Sequence, residues 1–145
     1  MEHPFLLELY REFGDFFEDA RSDKKVIFKE NCDQKAYNKL SKAMEGHYEY
    51  GDFCGSMFSI LIAFDATVFG SFSNGVYICR EGVYVKGLFQ EVEIYYYDDL
   101  RTFEVDEREK RICVNYGDDV LIANAYAISV AKRVEYAFNR YKKNR

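Results

Sequence analysis

The chain has 145 residues, a net charge of -5 and 48% hydrophobic residues, and its estimated pI is near 5.1. This length fits one domain with a core that needs no metal or disulfide staple. The 18% aromatic content and the single proline argue against a disordered chain. The acidic balance argues against nucleic acid as a partner, because neutralising phosphates needs clustered cations.

The four cysteines form no CxxC pair and have no histidine at the spacing of metal ligands. We therefore predict no metal site and no cofactor. Acids stand where a basic leader would be, and no window approaches 18 uncharged apolar residues. The simplest interpretation is a cytoplasmic protein with reduced thiols, no signal peptide and no membrane span.

The first predicted element is an amphipathic helix over about residues 4–21. Apolar residues recur there at spacings of three and four, and Pro4 suits the first helical turn. The phenylalanines on its apolar stripe need a cover, which is either the rest of the domain or another copy of the chain. We assign residues 1–24 to this N-terminal helix or arm and residues 25–145 to the main domain.

The main domain begins with a short strand at residues 25–29 and a helix over about 33–46. Asp33 is its expected N-cap, and Gly46 is its expected end. From residue 57 the apolar period changes from helix to strand, with tight hairpins expected at Arg80-Glu81-Gly82 and at the EREK stretch. A final helix is predicted over about 125–142, with its apolar face at Tyr126, Val130, Val134, Phe138 and Tyr141.

This order of elements predicts an α+β fold in which about seven antiparallel strands follow two N-terminal helices. No crossover helix separates the strands, so a parallel sheet is excluded. Short antiparallel strands tend to curl into a sandwich or a partly open barrel, and a helix after the last strand could cap an open end. The expected architecture is therefore a partly open barrel of the pleckstrin-homology-like (PH-like) kind with a C-terminal capping helix.

The run LIAFDATVFGSFSNGVYICREGVYVKG, followed by VEIYYYDDLRTFEV, resembles a bacterial PH-like family of small stand-alone proteins and attached modules. The resemblance covers about residues 57–140 and implies a fold, but supplies no established activity. Ala66 stands where we would expect a second acid beside Asp65, which argues against a paired-carboxylate site. The matching residues that we single out are Asp65, Thr67, Gly70, Gly75, Gly82, Tyr84 and Asp99.

These motif residues have a structural interpretation. Asp65 and Thr67 alternate along one strand, and the carboxylate can accept hydrogen bonds from backbone amides in the following turn. Glycines recur every five to seven residues without the spacing of a phosphate-binding loop. We expect Gly70, Gly75, Gly82 and Gly87 to be turn residues with positive φ.

The triplet Tyr95-Tyr96-Tyr97 is the clearest candidate for a contact surface. In a strand at least one of the three must point outward, and exposed tyrosine is a common interface anchor. The triplet could equally lie beneath the N-terminal helix. Together with that helix it gives the candidate interaction surface, which is Phe5, Leu9, Phe13, Phe16, Tyr95, Tyr96 and Tyr97.

The leading functional hypothesis is a non-catalytic PH-like interaction module that contacts a protein partner or another copy of itself. One alternative is binding to a lipid surface through the basic C-terminal end, residues 132–145, and the loop 87–90 with Leu88 and Phe89. The net negative charge counts against that alternative, so a membrane partner is not expected. The other alternative is a small enzyme that uses the Cys54 thiol, near His47 in the sequence.

Overall fold

The computed structural model describes residues 2–16, 25–44, 60–67, 74–87 and 92–144. Within these ranges the chain forms three α-helices and eight strands. The helices are α1 (Pro4–Phe13), α2 (Gln34–Met44) and α3 (Ala125–Lys143). The strands are β1 (Val26–Phe28), β2 (Ile60–Asp65), β3 (Gly75–Cys79), β4 (Gly82–Lys86), β5 (Glu93–Tyr96), β6 (Phe103–Asp106), β7 (Arg111–Val114) and β8 (Val120–Leu121).

The strands form two antiparallel sheets, and the fold is α+β. One sheet has the order β1-β2-β3-β4-β5 and the other has the order β6-β7-β8. Every strand pairing among the described residues is antiparallel, so the prediction of short antiparallel connections is confirmed. In the described parts of the chain the two sheets do not close into one continuous barrel.

Both predicted hairpins are present. In the first, Ile78 pairs with Val83 across a turn at Arg80 and Glu81. In the second, Asp106 pairs with Arg111, and the EREK stretch forms the turn between them. Lys110 closes that turn with a φ of 56°, in the left-handed region.

The first helix is shorter than the sequence predicts, because α1 ends at Phe13 instead of about residue 21. Gly14 has a φ of 65°, and its N–H donates to the Tyr10 carbonyl at 2.8 Å. A glycine in the left-handed region is a common helix terminator, since it has no Cβ to strain. The apolar spacing beyond Gly14 therefore does not belong to this helix.

The other two helices lie close to their predicted bounds. The Asp33 Oδ1 accepts a hydrogen bond from the Ala36 N–H at 2.8 Å, so the predicted N-cap of α2 is confirmed. The expected end of α2 at Gly46 lies outside the described residues. Asn124 caps α3 by accepting from the Ala127 N–H at 2.8 Å. Of the face predicted for α3, four residues are buried and Tyr126 is partly buried.

The core lies between the two sheets and is completed by α1 and α3. Both helices contribute buried side chains to one apolar cluster, together with residues from both sheets. A smaller cluster covers the other face of the five-stranded sheet, where Leu40 of α2 packs with Tyr77 and Tyr84. The interior strand β2 is buried along its whole length as a result.

An ion-pair network ties α1 to α3. Arg133 Nε lies 3.1 Å from Glu12 Oε1, and Arg140 Nε lies 2.9 Å from Glu8 Oε2. The contact between Arg140 Nε and Glu8 Oε2 is an ion pair without hydrogen-bond geometry. The two guanidinium groups also donate to the Glu12 and Glu8 carbonyls, at 2.7 and 3.1 Å.

Candidate interaction surface

The apolar face of α1 is inside the molecule. Phe5 and Leu9 of this helix are fully buried and Phe13 is 8% exposed, and Phe16, which follows the helix, is 1% exposed. The Phe5 ring packs edge-on against Phe138 of α3, with 5.4 Å between ring centroids. These four side chains do not form an exposed surface on this chain, because α3 and the sheets supply the cover that the helix needs.

The three tyrosines of the triplet have three different environments. Tyr96 is 48% exposed, Tyr95 is half-buried and Tyr97 is buried. Tyr97 begins a short 3-10 helix, Tyr97–Asp99, so the strand alternation stops at Tyr96. The Tyr97 hydroxyl donates to the Cys79 carbonyl, and burial raises its pKa well above the usual value. Tyr96 is therefore the member of the triplet that presents a large ring to solvent.

Tyr96 lines an open groove of about 530 Å³ at the junction of α1, the β3–β4 turn and the end of β5. Arg80 of that turn is held in place by Glu2, with 2.9 Å between Arg80 Nη1 and Glu2 Oε1. The same nitrogen donates to the Tyr10 hydroxyl at 3.3 Å. The groove-lining residues are Glu2, His3, Leu6, Arg80, Glu81, Tyr96, Tyr97 and Asp98, and we call this set the Tyr96 groove.

His3 is part of the groove wall and also caps α1. Its Nδ1 accepts a hydrogen bond from the Phe5 N–H at 3.1 Å, and its Nε2 lies 3.1 Å from Asp98 Oδ1. The imidazole ring packs between Tyr97 and Tyr141, with centroid distances of 5.5 and 5.2 Å. Sequence analysis missed this role, although a polar residue immediately before a proline at the first helical position is a recognisable N-cap signal.

The backbone of β5 places a sheet edge beside this groove. β5 is the last strand in the order of its sheet, so among the described residues no further strand pairs with its outer side. The Tyr97 N–H donates toward β4, to the Glu81 carbonyl. Because backbone groups alternate in direction along a strand, the N–H and C=O groups of Ile94 and Tyr96 point away from β4.

The Asp65 motif stabilises local structure. Asp65 Oδ1 accepts from the Thr67 N–H at 2.8 Å and from the Thr67 hydroxyl at 2.6 Å, and its carboxylate is buried. Among the described residues no group donates a hydrogen bond to Oδ2, which lies 4.0 Å from Lys25 Nζ. This is the bonding pattern that the structural interpretation of Asp65 predicts. Tyr84 is buried on the same sheet, and the Asp99 carbonyl accepts from Asn115 Nδ2 at 2.9 Å.

The expectation of positive φ is wrong for Gly75 and Gly82. The positive φ among described glycines is that of Gly14, whereas Gly75 and Gly82 begin strands β3 and β4. A Cβ on Gly75 would lie 2.0 Å from the Phe64 carbonyl oxygen, and one on Gly82 would lie 2.2 Å from the Tyr95 carbonyl oxygen. Glycine is needed there because the neighbouring backbone comes so close. Gly70 lies outside the described residues.

Two of the described thiols have raised pKa values, and the third is buried. Burial, followed by the charge of Asp33, raises the pKa of Cys32. Burial, followed by the charge of Asp119, raises the pKa of Cys113. Cys79 is buried in β3. Cys54 and His47, the pair behind the enzyme alternative, lie outside the described residues, as do Leu88 and Phe89 of the lipid alternative. No group of three or more potential metal ligands occurs in the described ranges.

The basic end of α3 is largely engaged within the molecule. Arg133 and Arg140 pair with α1 as described above, and Lys132 Nζ lies 2.6 Å from Glu135 Oε1. Lys142 Nζ donates to the Arg101 carbonyl at 2.9 Å. Three basic residues of this end, Lys132, Arg133 and Arg140, are therefore paired with carboxylates, whereas Lys142 bonds a neutral carbonyl. A second open cleft, of about 540 Å³, lies nearby and is lined by charged residues of both signs around Cys113.

Comparison with protein families, with curated proteins and with solved structures finds no match for this chain. None of the helices in the described ranges is long and apolar enough to cross a membrane.

Proposed function

We propose that this chain is a non-catalytic PH-like module that acts by protein contact, and that the β5 edge and the Tyr96 groove bind a second copy of the chain. The strand pattern of the sequence predicts about seven antiparallel strands followed by a helix, which is the arrangement of a PH-like fold. Strands β2 to β8, followed by α3, support that assignment. β1 extends the first sheet by one strand.

The observation that carries the proposal is the exposure of Tyr96 beside a positioned arginine at a sheet edge. Tyrosine and arginine are enriched among the residues that dominate binding energy at interfaces. Glu2 and Tyr10 already hold the Arg80 guanidinium, so binding would cost little of the side-chain entropy that an unrestrained arginine loses.

A second copy is the partner that this geometry suits. A sheet edge presents backbone groups that another strand can pair with, and two β5 edges related by a two-fold axis would join in antiparallel fashion. In such an arrangement each contact occurs twice. The groove carries charges of both signs, so Arg80 of each copy can face the 91% exposed Asp98 of the other.

The alternatives have less support. Lipid binding would need the basic end of α3, but Arg133 and Arg140 are committed to Glu12 and Glu8. The described thiols have raised pKa values or are buried, which disfavours nucleophilic chemistry at these positions. Salt-sensitive pelleting of the chain with anionic vesicles would contradict the proposal in favour of lipid binding.

The test is sedimentation velocity of the full chain over a range of concentrations. We expect a concentration-dependent dimer for the unmodified chain and a dissociation constant raised about tenfold or more by Tyr96→Ser. Leu121→Ser is the matched control, because Leu121 is 54% exposed and lies on β8, at the edge of the other sheet. A monomer at every concentration, or equal weakening by both variants, would overturn the proposal.

A further inference from the structure

We propose that each copy of the chain inserts Tyr116 into the Tyr96 groove of the other, so that this ring is the occupant of the groove. The inference rests on the proposed function, because it requires that two β5 edges meet. Tyr116 lies in the turn between β7 and β8 and is 76% exposed, the largest exposed fraction among the large hydrophobic side chains of the described residues.

The backbone conformation of Tyr116 is unusual for a large side chain. Its φ is 59°, in the left-handed region where a Cβ is strained, and the preceding Asn115 has a φ of 52°. Strain of this kind persists where surrounding contacts impose it, and it is concentrated at functional sites. Because the ring is exposed, its burial within the chain offsets little of that strain. A contact made outside the chain gives a reason for tyrosine at this position.

Hydrogen bonds hold the turn in this conformation. The Asn115 side chain accepts from the Thr102 N–H at 3.3 Å and donates to the Asp99 carbonyl at 2.9 Å. The Tyr116 N–H donates to the Thr102 hydroxyl at 3.2 Å. Tyr116 is therefore presented by a fixed backbone, which lowers the conformational entropy that is lost on binding.

The turn lies against the start of β5. A Cβ on Gly117 would lie 3.6 Å from the Tyr95 hydroxyl oxygen and 3.8 Å from Glu93 Oε2. Tyr95 and α1 pack against the same apolar cluster, so the turn and the helix lie on one face of the sheet. The Tyr96 groove lies at the opposite end of β5, next to α1.

Antiparallel pairing of two β5 edges would bring the start of each strand beside the end of the other. The turn at the start of one β5 would then face the groove at the end of its partner's β5. A two-fold axis makes this contact occur twice, and it keeps the turn and α1 of both copies on the same face of the joined sheets.

The groove has the groups that suit a tyrosine ring and its hydroxyl. Leu6 and the ring of Tyr96 offer apolar area. The Arg80 guanidinium can pack on the face of an incoming ring, and the exposed Asp98 carboxylate can accept from its hydroxyl. The groove is open and its volume of about 530 Å³ accommodates one such side chain.

The experiment is sedimentation velocity of the full chain with Tyr116→Asn, Tyr96→Ser and both substitutions together. We expect Tyr116→Asn to raise the dissociation constant of the dimer about tenfold or more. The double variant should raise it by much less than the product of the two single effects, because the two side chains contact each other across the interface. Tyr136→Ser is the matched control, since Tyr136 is 57% exposed but lies on α3, and it should leave the constant unchanged.

Denaturant midpoints of dilute, monomeric protein separate association from folding. Tyr116→Asn should not lower the midpoint, because asparagine adopts the left-handed conformation more readily than tyrosine. A lowered midpoint, an unchanged dissociation constant, or single effects that multiply in the double variant would overturn the inference and leave the proposed function standing. A chain that stays monomeric at every concentration would overturn both.

Discussion

At the residue scale, the three consecutive tyrosines have three different environments. The Tyr95 hydroxyl donates to Glu93, and burial followed by that hydrogen bond raises the pKa of Tyr95 to about 12. Tyr96, the next residue, is exposed, and Tyr97 is buried under α1. The sequence predicts that at least one of the three points outward, but it does not predict which, since the change from strand to 3-10 helix at Tyr97 depends on packing.

Tyr95 should contribute to alkaline unfolding. Its folded pKa is raised above the usual value of about 10, so the stabilising contribution is complete below pH 10 and is lost as the pH rises toward about 12. Tyr95→Phe keeps the ring without the ionisable hydroxyl. Denaturant midpoints measured across this pH range should therefore fall less steeply for Tyr95→Phe than for the unmodified chain. An identical fall in both proteins would contradict the assignment.

His3 and Arg80 show what residue-level prediction can and cannot do. The cap position of His3 is readable from its place before Pro4, but its contact with Asp98 joins residues 95 positions apart. Arg80 is visible in the sequence only as a turn residue. Its contacts with Glu2 and Tyr10 exist because α1 packs across the β3–β4 turn.

At the element scale, α1 is positioned by polar as well as apolar contacts. Glu8 is 7% exposed, and its carboxylate is paired with Arg140 of α3. The other carboxylate oxygen of Glu8 pairs with the exposed Arg11, 3.0 Å away, so loss of Arg140 would leave this buried carboxylate only partly compensated. The sequence predicts the apolar stripe of this helix, but the partners of its acids depend on which helix lies beside it.

Arg140→Ala should destabilise the fold by about 2 kcal/mol, below the ~3–5 kcal/mol of a fully buried pair. The reduction reflects the side chain of Arg140, which is 30% exposed. Chemical denaturation measures the effect, and the exposed Lys143→Ala in the same last turn is the control, expected within about 0.5 kcal/mol of the unmodified chain. Adding Glu8→Gln to Arg140→Ala should recover part of the loss, because it removes a buried charge whose remaining partner is the exposed Arg11. Strictly additive losses would contradict this account of the pair.

The helix ends show which boundaries can be predicted from the sequence and which cannot. Asp33 and Asn124 cap their helices by accepting hydrogen bonds from amides three residues further along the chain, and local sequence patterns can predict such bonds. The end of α1 was misplaced because phenylalanines continue at helical spacing after Gly14. The conformation of Gly14 decided the boundary, and the apolar spacing did not.

At the scale of the whole molecule, the order of elements was the most predictable feature. Strand periodicity and hairpin turns gave the antiparallel arrangement and the closing helix. The division into a five-stranded and a three-stranded sheet was not predicted, since it depends on contacts between distant strands. The strand β1 joins β2 across more than 30 residues of chain, with Val26 opposite Phe64.

The candidate surface was predicted only in part, because contacts between distant segments decide which faces are covered. Amphipathicity identifies the apolar face of α1, but it does not say whether a helix of the same chain covers that face. Here α3 covers it. What is left exposed is Tyr96, at the end of the last strand of the larger sheet.

The central claim is that the outer edge of β5 binds a second copy of the chain. Its most direct test is hydrogen exchange of the Ile94 amide, which points away from β4, in dilute and in concentrated protein at neutral pH. We predict that concentration increases the protection of Ile94 and leaves the amide of Leu121, on the edge strand of the other sheet, unchanged. Equal exchange of Ile94 at both concentrations would contradict the claim.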